Sequence, residues 1–584
     1  MGPTILCLPL LVFGFTFSFF VNSKAEDAPL VRTSTGELVG KRLHSAGREV
    51  YAYLGIPYGQ PPVGDRRFLK PLPIAPWSGV FRADTMHPGC TQTDFVVTDD
   101  ATIDMSNTVE DCLRLNVWVP RRVQNDTSGG IDGNSSPSVD NSTNGFPVFV
   151  FIYGGLFSWG SSSLFMYNGL EFAARADVIF VSFNYRLGPL GFLNASAPGA
   201  EGNMGLYDQL EALRWIHKNV HAFGGDPDAV TLAGQSAGAV SVSYHLMSEL
   251  SRGLFQRAVL LSGTSSTLAY SENIDQNDNF RAVSGALNCT NFYLPGLERV
   301  NASLDCLREV DGHRLVREAE SGMAYRYITI LPGYGDSFLP HSPVDLDRAK
   351  FHVKDVFLGT TEDDGALLVS AMYSKMNWLK GSIDGRTILR VFLRNFFHMP
   401  MSKSAPFESA YFGRAQQLPE AQVLKAMSSA ITDLAFDCAA DLFSQATLRS
   451  NVTVFRYVFR HRPSYSFWGD WVTVTHNDDL PFFLGTVRAD KKMLNEQYKD
   501  SFGKLLREKF TPTPEELRFS DDLIRVLADF CKSGKPKIPK TDTEWPKYTK
   551  ERKAYVILKP NDYKVAYGPR SKKCYLWEPY LIKK

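Results

Sequence analysis

The feature that most constrains this chain is the pentapeptide Gly234-Gln235-Ser236-Ala237-Gly238 and what lies on either side of it. An apolar strand-like run, Ala229-Val230-Thr231-Leu232-Ala233, leads in, and a helix-like stretch from Ala239 to Met247 leads out. A strand that passes into a helix within one or two residues must turn sharply, and glycines flanking the turn remove the Cβ atoms that would block it. The serine hydroxyl is then left standing above the end of a sheet, as a nucleophile requires.

The surrounding sequence predicts that sheet. Val148–Ile152, Val178–Val181, Val230–Leu232, Ala258–Leu261 and Val353–Leu358 are short, continuous apolar runs bounded by Gly, Asn or charge. Such runs suit strands buried on both faces, the pattern of a largely parallel sheet. Helical patterns lie between them. In Tyr207–Phe223, Leu210, Leu213, Ile216 and Val220 share one face before Gly224-Gly225 ends the pattern, and Pro514–Cys531 supplies another helix. The alternation predicts an α/β class with right-handed crossovers. No Pro/Gly-rich linker divides the 584 residues, so one large domain over residues 26–584 is expected. Net charge is +1, with 63 basic and 62 acidic residues, which gives no reason to expect a nucleic-acid partner.

The N-terminus carries a near-continuous apolar run, Ile5–Val21, followed by small residues in Asn22-Ser23-Lys24-Ala25. This predicts a secretory signal over residues 1–25, with an uncleaved signal anchor as the alternative. The chain ends Tyr580-Leu581-Ile582-Lys583-Lys584 without an apolar tail, against a C-terminal span or glycolipid anchor. An extracellular product is therefore expected to carry glycans, and Asn-x-Ser/Thr acceptors occur at Asn125, Asn134, Asn141, Asn194, Asn288, Asn301 and Asn451. Three of these crowd into the polar stretch 124–145, which reads as a glycosylated loop. Beyond Cys7, seven cysteines remain: Cys90, Cys112, Cys289, Cys306, Cys438, Cys531 and Cys574. An odd number leaves at least one without an intrachain partner, and spacing alone does not assign the pairs.

A serine nucleophile needs a base, and the base needs an acid to orient it. In an α/β architecture of this kind the acid follows the serine and the histidine comes last. His398, His461 and His476 are the candidates. His461 lies between Arg460 and Arg462, which oppose an imidazolium, whereas His476 precedes Asn477-Asp478-Asp479, whose charges favour it.

Four further motifs extend the argument. Glu110–Trp118 (EDCLRLNVW), Asn184–Phe192 (NYRLGPLGF), Gly202–Gln209 (GNMGLYDQ) and Phe223–Pro227 (FGGDP) stand in order with the pentapeptide. Together they resemble the type-B carboxylesterase/cholinesterase family, from about Pro29 to Lys583. The resemblance implies an α/β-hydrolase fold and a serine esterase. It assigns Ser236 as nucleophile. Asp364, which directly precedes Gly365 in Gly359-Thr360-Thr361-Glu362-Asp363-Asp364-Gly365, becomes the acid where many members have Glu. His476 becomes the base, and Glu362 and Asp363 are left as solvated or structural. Tyr153-Gly154-Gly155-Leu156-Phe157 is similar to the family's Gly-Gly-Gly-Phe loop. Gly155, Leu156 and Ala237 would then supply the oxyanion donors, with a leucine side chain newly placed at the acyl site. The resemblance also implies the disulfides Cys90–Cys112, Cys289–Cys306 and Cys438–Cys574, leaving Cys531 as a buried free thiol. It requires no cofactor, and no zinc-like ligand spacing is present.

Two departures bear on the substrate. The segment between Cys90 and Cys112 contains no Trp, with Phe95 its only aromatic residue, and Gln235 stands where cholinesterases have Glu. Cholinesterases hold a quaternary ammonium on an aromatic face, so both departures favour an apolar or generic carboxylic ester over a choline ester. The Gly-Gln-Ser-Ala-Gly form is similar to that of juvenile-hormone-esterase-like members. The alternatives are a choline ester hydrolase like acetylcholinesterase and a non-catalytic adhesion or binding module. The expected partner is a small-molecule ester, with no stable membrane anchor.

Overall fold

In the computed structural model, residues 28–98, 101–121, 145–268, 276–324, 330–375, 384–397, 399–413, 418–489, 494 and 500–582 are described. The expected signal segment, the polar stretch 124–144 with Asn125, Asn134 and Asn141, and His398 lie outside the described residues.

Eleven strands form one mixed sheet. In chain order they are β1 (Lys41–Ser45), β2 (Arg48–Pro57), β3 (Arg114–Pro120), β4 (Phe146–Ile152), β5 (Ile179–Phe183), β6 (Gly225–Gln235), β7 (Arg257–Leu261), β8 (Asp355–Thr361), β9 (Thr453–Phe459), β10 (Tyr555–Lys559) and β11 (Asp562–Ala566). Their order across the sheet is β11-β10-β9-β8-β7-β6-β4-β5-β3-β2-β1. The run from β5 to β10 is parallel, and antiparallel strands finish both edges. The arrangement follows from composition. Val148 to Ile152 in β4 are wholly buried, as are Ala258 to Leu261 in β7, so both faces must be covered. Helices supply the cover, among them α1 (Met204–Asn219), α2 (Ala237–Met247), α3 (Glu420–Ile431), α4 (Cys438–Leu448) and α5 (Pro514–Ser533). The chain is a single α/β domain.

The motif residues carry structural work. Arg186 and Asp208 form a buried pair in which the guanidinium makes two bonds, 2.8 and 2.7 Å, to the carboxylate. With the Arg186 backbone N–H also donating to Asp208 at 3.1 Å, the pair ties the loop after β5 to α1. α5 starts on a capping box made by Thr513 and Glu516 and ends at Gly534, whose φ of 70° closes the helix. Disulfides join Cys90 to Cys112, Cys289 to Cys306 and Cys438 to Cys574, while Cys531 is free and buried.

Two boundaries differ from the sequence reading. The run Val353–Leu358 enters the sheet later, as β8, and continues through Gly359-Thr360-Thr361 because those residues pair with Tyr457, Val458 and Phe459 of β9. The helix expected over Tyr207–Phe223 begins at Met204 and becomes a 3-10 turn at Val220. Among the described residues no helix is long and apolar enough to cross a membrane.

Candidate active site

β6 delivers Ser236 to the C-terminal edge of the sheet, and α2 begins at the next residue. Ser236 has φ 55° and ψ −124°, a region that costs a non-glycine residue about 1–3 kcal/mol. The flanking glycines make that turn possible. A Cβ on Gly234 would lie 2.3 Å from the carbonyl oxygen of Gly238, and one on Gly238 would lie 2.0 Å from that of Ile152. The Ser236 N–H donates to Leu261 O at 2.9 Å, which anchors the turn to β7.

Asp364 follows β8 and is fully buried. Its Oδ1 accepts from His476 Nδ1 at 2.8 Å. Its Oδ2 accepts from Ser262 Oγ at 3.0 Å and from the Thr361 backbone N–H at 2.8 Å. Both carboxylate oxygens are thus engaged, and the imidazole is held with its proton on Nδ1. The opposite nitrogen, His476 Nε2, lies 3.0 Å from the side-chain nitrogen of Gln235. The Phe436 ring covers the imidazole with centroids 5.0 Å apart. Phe436 belongs to a π-helical stretch, Thr432–Asp437, between α3 and α4. Such widened turns recur at functional sites.

The acid loop and histidine loop are fastened together by Asp363. Its backbone N–H donates to Val474 O at 2.9 Å. Its buried carboxylate accepts from Lys425 Nζ at 2.6 Å, from Ser428 Oγ and from Thr473 Oγ1 at 3.3 Å. Glu362 is half-buried and pairs with Arg460 at 3.1 Å. The neighbours of His476 have hydrogen-bond partners of their own. Asp478 caps the Thr475 N–H at 2.8 Å, and Asp479 accepts from Tyr457 Oη at 2.7 Å. Burial pushes the Asp479 carboxyl up to about 6; the carboxylate bonded to the imidazole is that of Asp364. His461 instead bonds Glu516 at 2.8 Å.

The loop after β4 packs directly on the elbow. A Cβ on Gly154 would sit 2.8 Å from Ser236 Cβ, and one on Gly155 would sit 2.0 Å from Trp159 O. Leu156 is half-buried and adopts φ 53°, with Phe157 at φ 59°, so the chain keeps a left-handed backbone where glycine would be unstrained. Trp159 stacks on Phe95 with centroids 3.9 Å apart and planes within 14°. The disulfide loop without a Trp is thus stacked against one from the loop after β4. Sequence reasoning missed Trp159, Ser262, Phe436 and Lys425. Only Trp159 had a local signal, its place four residues after Gly155. Among the described residues, no group of His, Cys, Asp and Glu is gathered to hold a metal.

The chain is similar to known proteins over most of its length. Residues 27–577 match the model of the carboxylesterase family. The chain is 30% identical over 566 residues to acetylcholinesterase-1 of Trittame loki, covering 95% of this chain and 94% of that protein. It is 30% identical to acetylcholinesterase of Leptinotarsa decemlineata, covering 95% of this chain and 86% of that one. Against acetylcholinesterase of Bungarus fasciatus the identity is 31%, again over 95% and 86%.

Proposed function

The chain belongs to the carboxylesterase family, and from that premise we propose that it is a secreted serine esterase whose triad is Ser236, His476 and Asp364. The observation that carries this reading is the His476–Asp364 bond of 2.8 Å beside a strained serine elbow. In the proposed cycle, His476 Nε2 leaves Gln235 and takes the Ser236 proton as Oγ attacks the ester carbonyl. Asp364 holds the resulting imidazolium through Nδ1. The N–H groups of Gly155, Leu156 and Ala237 meet the oxyanion. His476 then protonates the leaving alcohol, and water repeats the sequence on the acyl-enzyme. No metal or organic cofactor enters these steps.

The acyl side is narrowed by Leu156, and Gln235 brings no negative charge to the site, so the substrate is an apolar or generic carboxylic ester rather than a choline ester. The second reading, choline ester hydrolysis, is favoured by one observation. Trp159 on Phe95 offers an aromatic face of the kind that holds a quaternary ammonium. Extracellular residence is supported by three disulfides, which persist in oxidising compartments, and by the seven sequons. Hydrolysis of nitrophenyl and thiocholine esters by wild type and Ser236→Ala separates the readings. Faster turnover of nitrophenyl butyrate supports the apolar ester, and faster turnover of thiocholine esters supports the second reading. Turnover unchanged in Ser236→Ala removes both.

A further inference from the structure

The net charge of +1 hides an uneven distribution. Residues 532–584 contain fifteen Lys and Arg against five Asp and Glu, so the chain before them is net acidic. The fold gathers part of this excess at one place. Gly534, the residue that closes α5, lies so near the start of β8 that a Cβ on it would sit 2.3 Å from Asp355 Oδ2. Arg257, at the start of β7, donates to Cys531 O at 3.0 Å. Around this junction Lys354, Lys532, Lys535, Lys537 and Lys547 are all exposed. Lys354 adjoins Asp355, which pairs with Thr453, two residues from Phe455, the bridge partner of Lys547. Lys532, Lys535 and Lys537 flank Gly534, which meets Asp355. Among the described residues none of the five lysines is ion-paired, whereas Asp355 is taken by Arg257 at 3.6 Å. The dipole at the end of α5 accounts for Lys532 in its last turn but not for the other four.

The patch faces away from the catalytic end. Ser236 and Asp364 follow the C-terminal ends of β6 and β8, whereas Lys354 precedes the seven-residue β8, about 20 Å away at 3.3 Å per residue. No exposed large apolar side chain belongs to the patch, so it has nothing to insert into a lipid surface. Its aromatic neighbours Trp545 and Tyr548 are buried, so it has nothing on which to stack bases. What remains is a set of flexible point charges suited to a dense row of anions.

We propose that this surface binds a sulfated polysaccharide, fixing the protein to an anionic matrix with its catalytic end open to solution. The proposal rests on the extracellular residence argued above, though its test does not. Binding of a fluorescent heparin dodecasaccharide is measured by anisotropy for wild type, for the Lys532→Gln/Lys535→Gln/Lys537→Gln/Lys547→Gln variant, and for a control. The control replaces Lys218, Lys403, Lys504 and Lys509, also exposed, by Gln and so removes the same charge elsewhere. Four phosphate-like contacts on a single-stranded polyanion predict an affinity that falls about 50-fold between 50 and 200 mM salt. The patch variant is expected to lose at least tenfold in affinity and the control less than twofold, with nitrophenyl ester turnover unchanged when heparin is bound. Equal losses in the two variants, or no salt-dependent binding, overturn the proposal. Tighter binding to a DNA oligonucleotide or to phosphatidylserine vesicles overturns it too. Heparin binding by a protein without turnover faults the hydrolase reading alone, and turnover without heparin binding faults this one alone.

Discussion

Asp364→Asn is the most informative single change because the structure fixes which way the new amide must face. Oδ2 of Asp364 accepts two donors, Ser262 Oγ and the Thr361 N–H, at 3.0 and 2.8 Å. In the variant the Thr361 N–H, which can only donate, retains the amide oxygen, and the NH2 group is turned toward His476 Nδ1. A donor facing Nδ1 requires a lone pair there, which moves the imidazole proton to Nε2. The nitrogen that must take the Ser236 proton is then already protonated. A wrong tautomer in a buried triad lowers kcat about 10⁴-fold, equivalent to about 5.5 kcal/mol at 1.36 kcal/mol per decade. Steady-state hydrolysis of nitrophenyl butyrate measures it, with circular dichroism showing that Tm moves by no more than about 1 °C, the shift expected for up to about 1 kcal/mol in a domain of this size. If Asp364→Asn alone keeps kcat within tenfold of wild type, Asp364 does not set the tautomer of His476 and the reasoning fails.

Three other changes probe separate parts of the account. Gln235→Glu places a carboxylate 3.0 Å from the His476 ring nitrogen and favours the imidazolium. A pair interaction of about 1–4 kcal/mol moves the acid limb of kcat/KM upward by about one unit or more, and an unmoved limb argues that Gln235 does not face His476 in solution. Leu156→Gly relieves about 1–2 kcal/mol of left-handed strain while losing a half-buried side chain, so stability changes little. The kcat/KM ratio for nitrophenyl butyrate over acetate is expected to rise at least tenfold, and an unchanged ratio removes Leu156 from the acyl site. Glu516 is held down to about 2 by His461, Ser464 and Thr513, although burial opposes this. A depressed carboxyl stabilises the fold above its unfolded value of 4.5 and loses that contribution as pH falls toward 2. Glu516→Gln therefore costs about 2 kcal/mol at pH 7 after solvent screening, in urea unfolding, with the gap to wild type closing in the acid window. A gap independent of pH contradicts the ionic origin.

The local parts of the site were legible in the sequence because local rules produce them. The elbow needs glycine where Gly238 meets Ile152 O, and strand β6 ends where its apolar run ends. Helix α5 announces itself by Thr513, Glu516 and Gly534. Asp364 and His476 were found from their motifs and chain order, and the structure brings them to 2.8 Å. Contacts between distant segments were not legible. Nothing in Phe95 indicates a partner in Trp159, and nothing in Lys425 indicates Asp363, since each pair meets only after several strands are in place. Sequence adjacency to His476 did not reveal that Asp478 and Asp479 are buried, which raises both carboxyls. Leu156 was seen as a departure, but its left-handed φ of 53° follows from the packing of the loop against the elbow.

The central claim is that Ser236 is an activated nucleophile, and covalent labelling tests it most directly. Incubation with a fluorophosphonate ester followed by peptide mass spectrometry is expected to find one adduct per chain, on Ser236, formed in parallel with loss of ester hydrolysis. The adduct should be absent in Ser236→Ala and slowed by about the same factor as turnover in Asp364→Asn. A folded protein that hydrolyses esters with Ser236 unlabelled, or that labels equally in Ser236→Ala, contradicts the account.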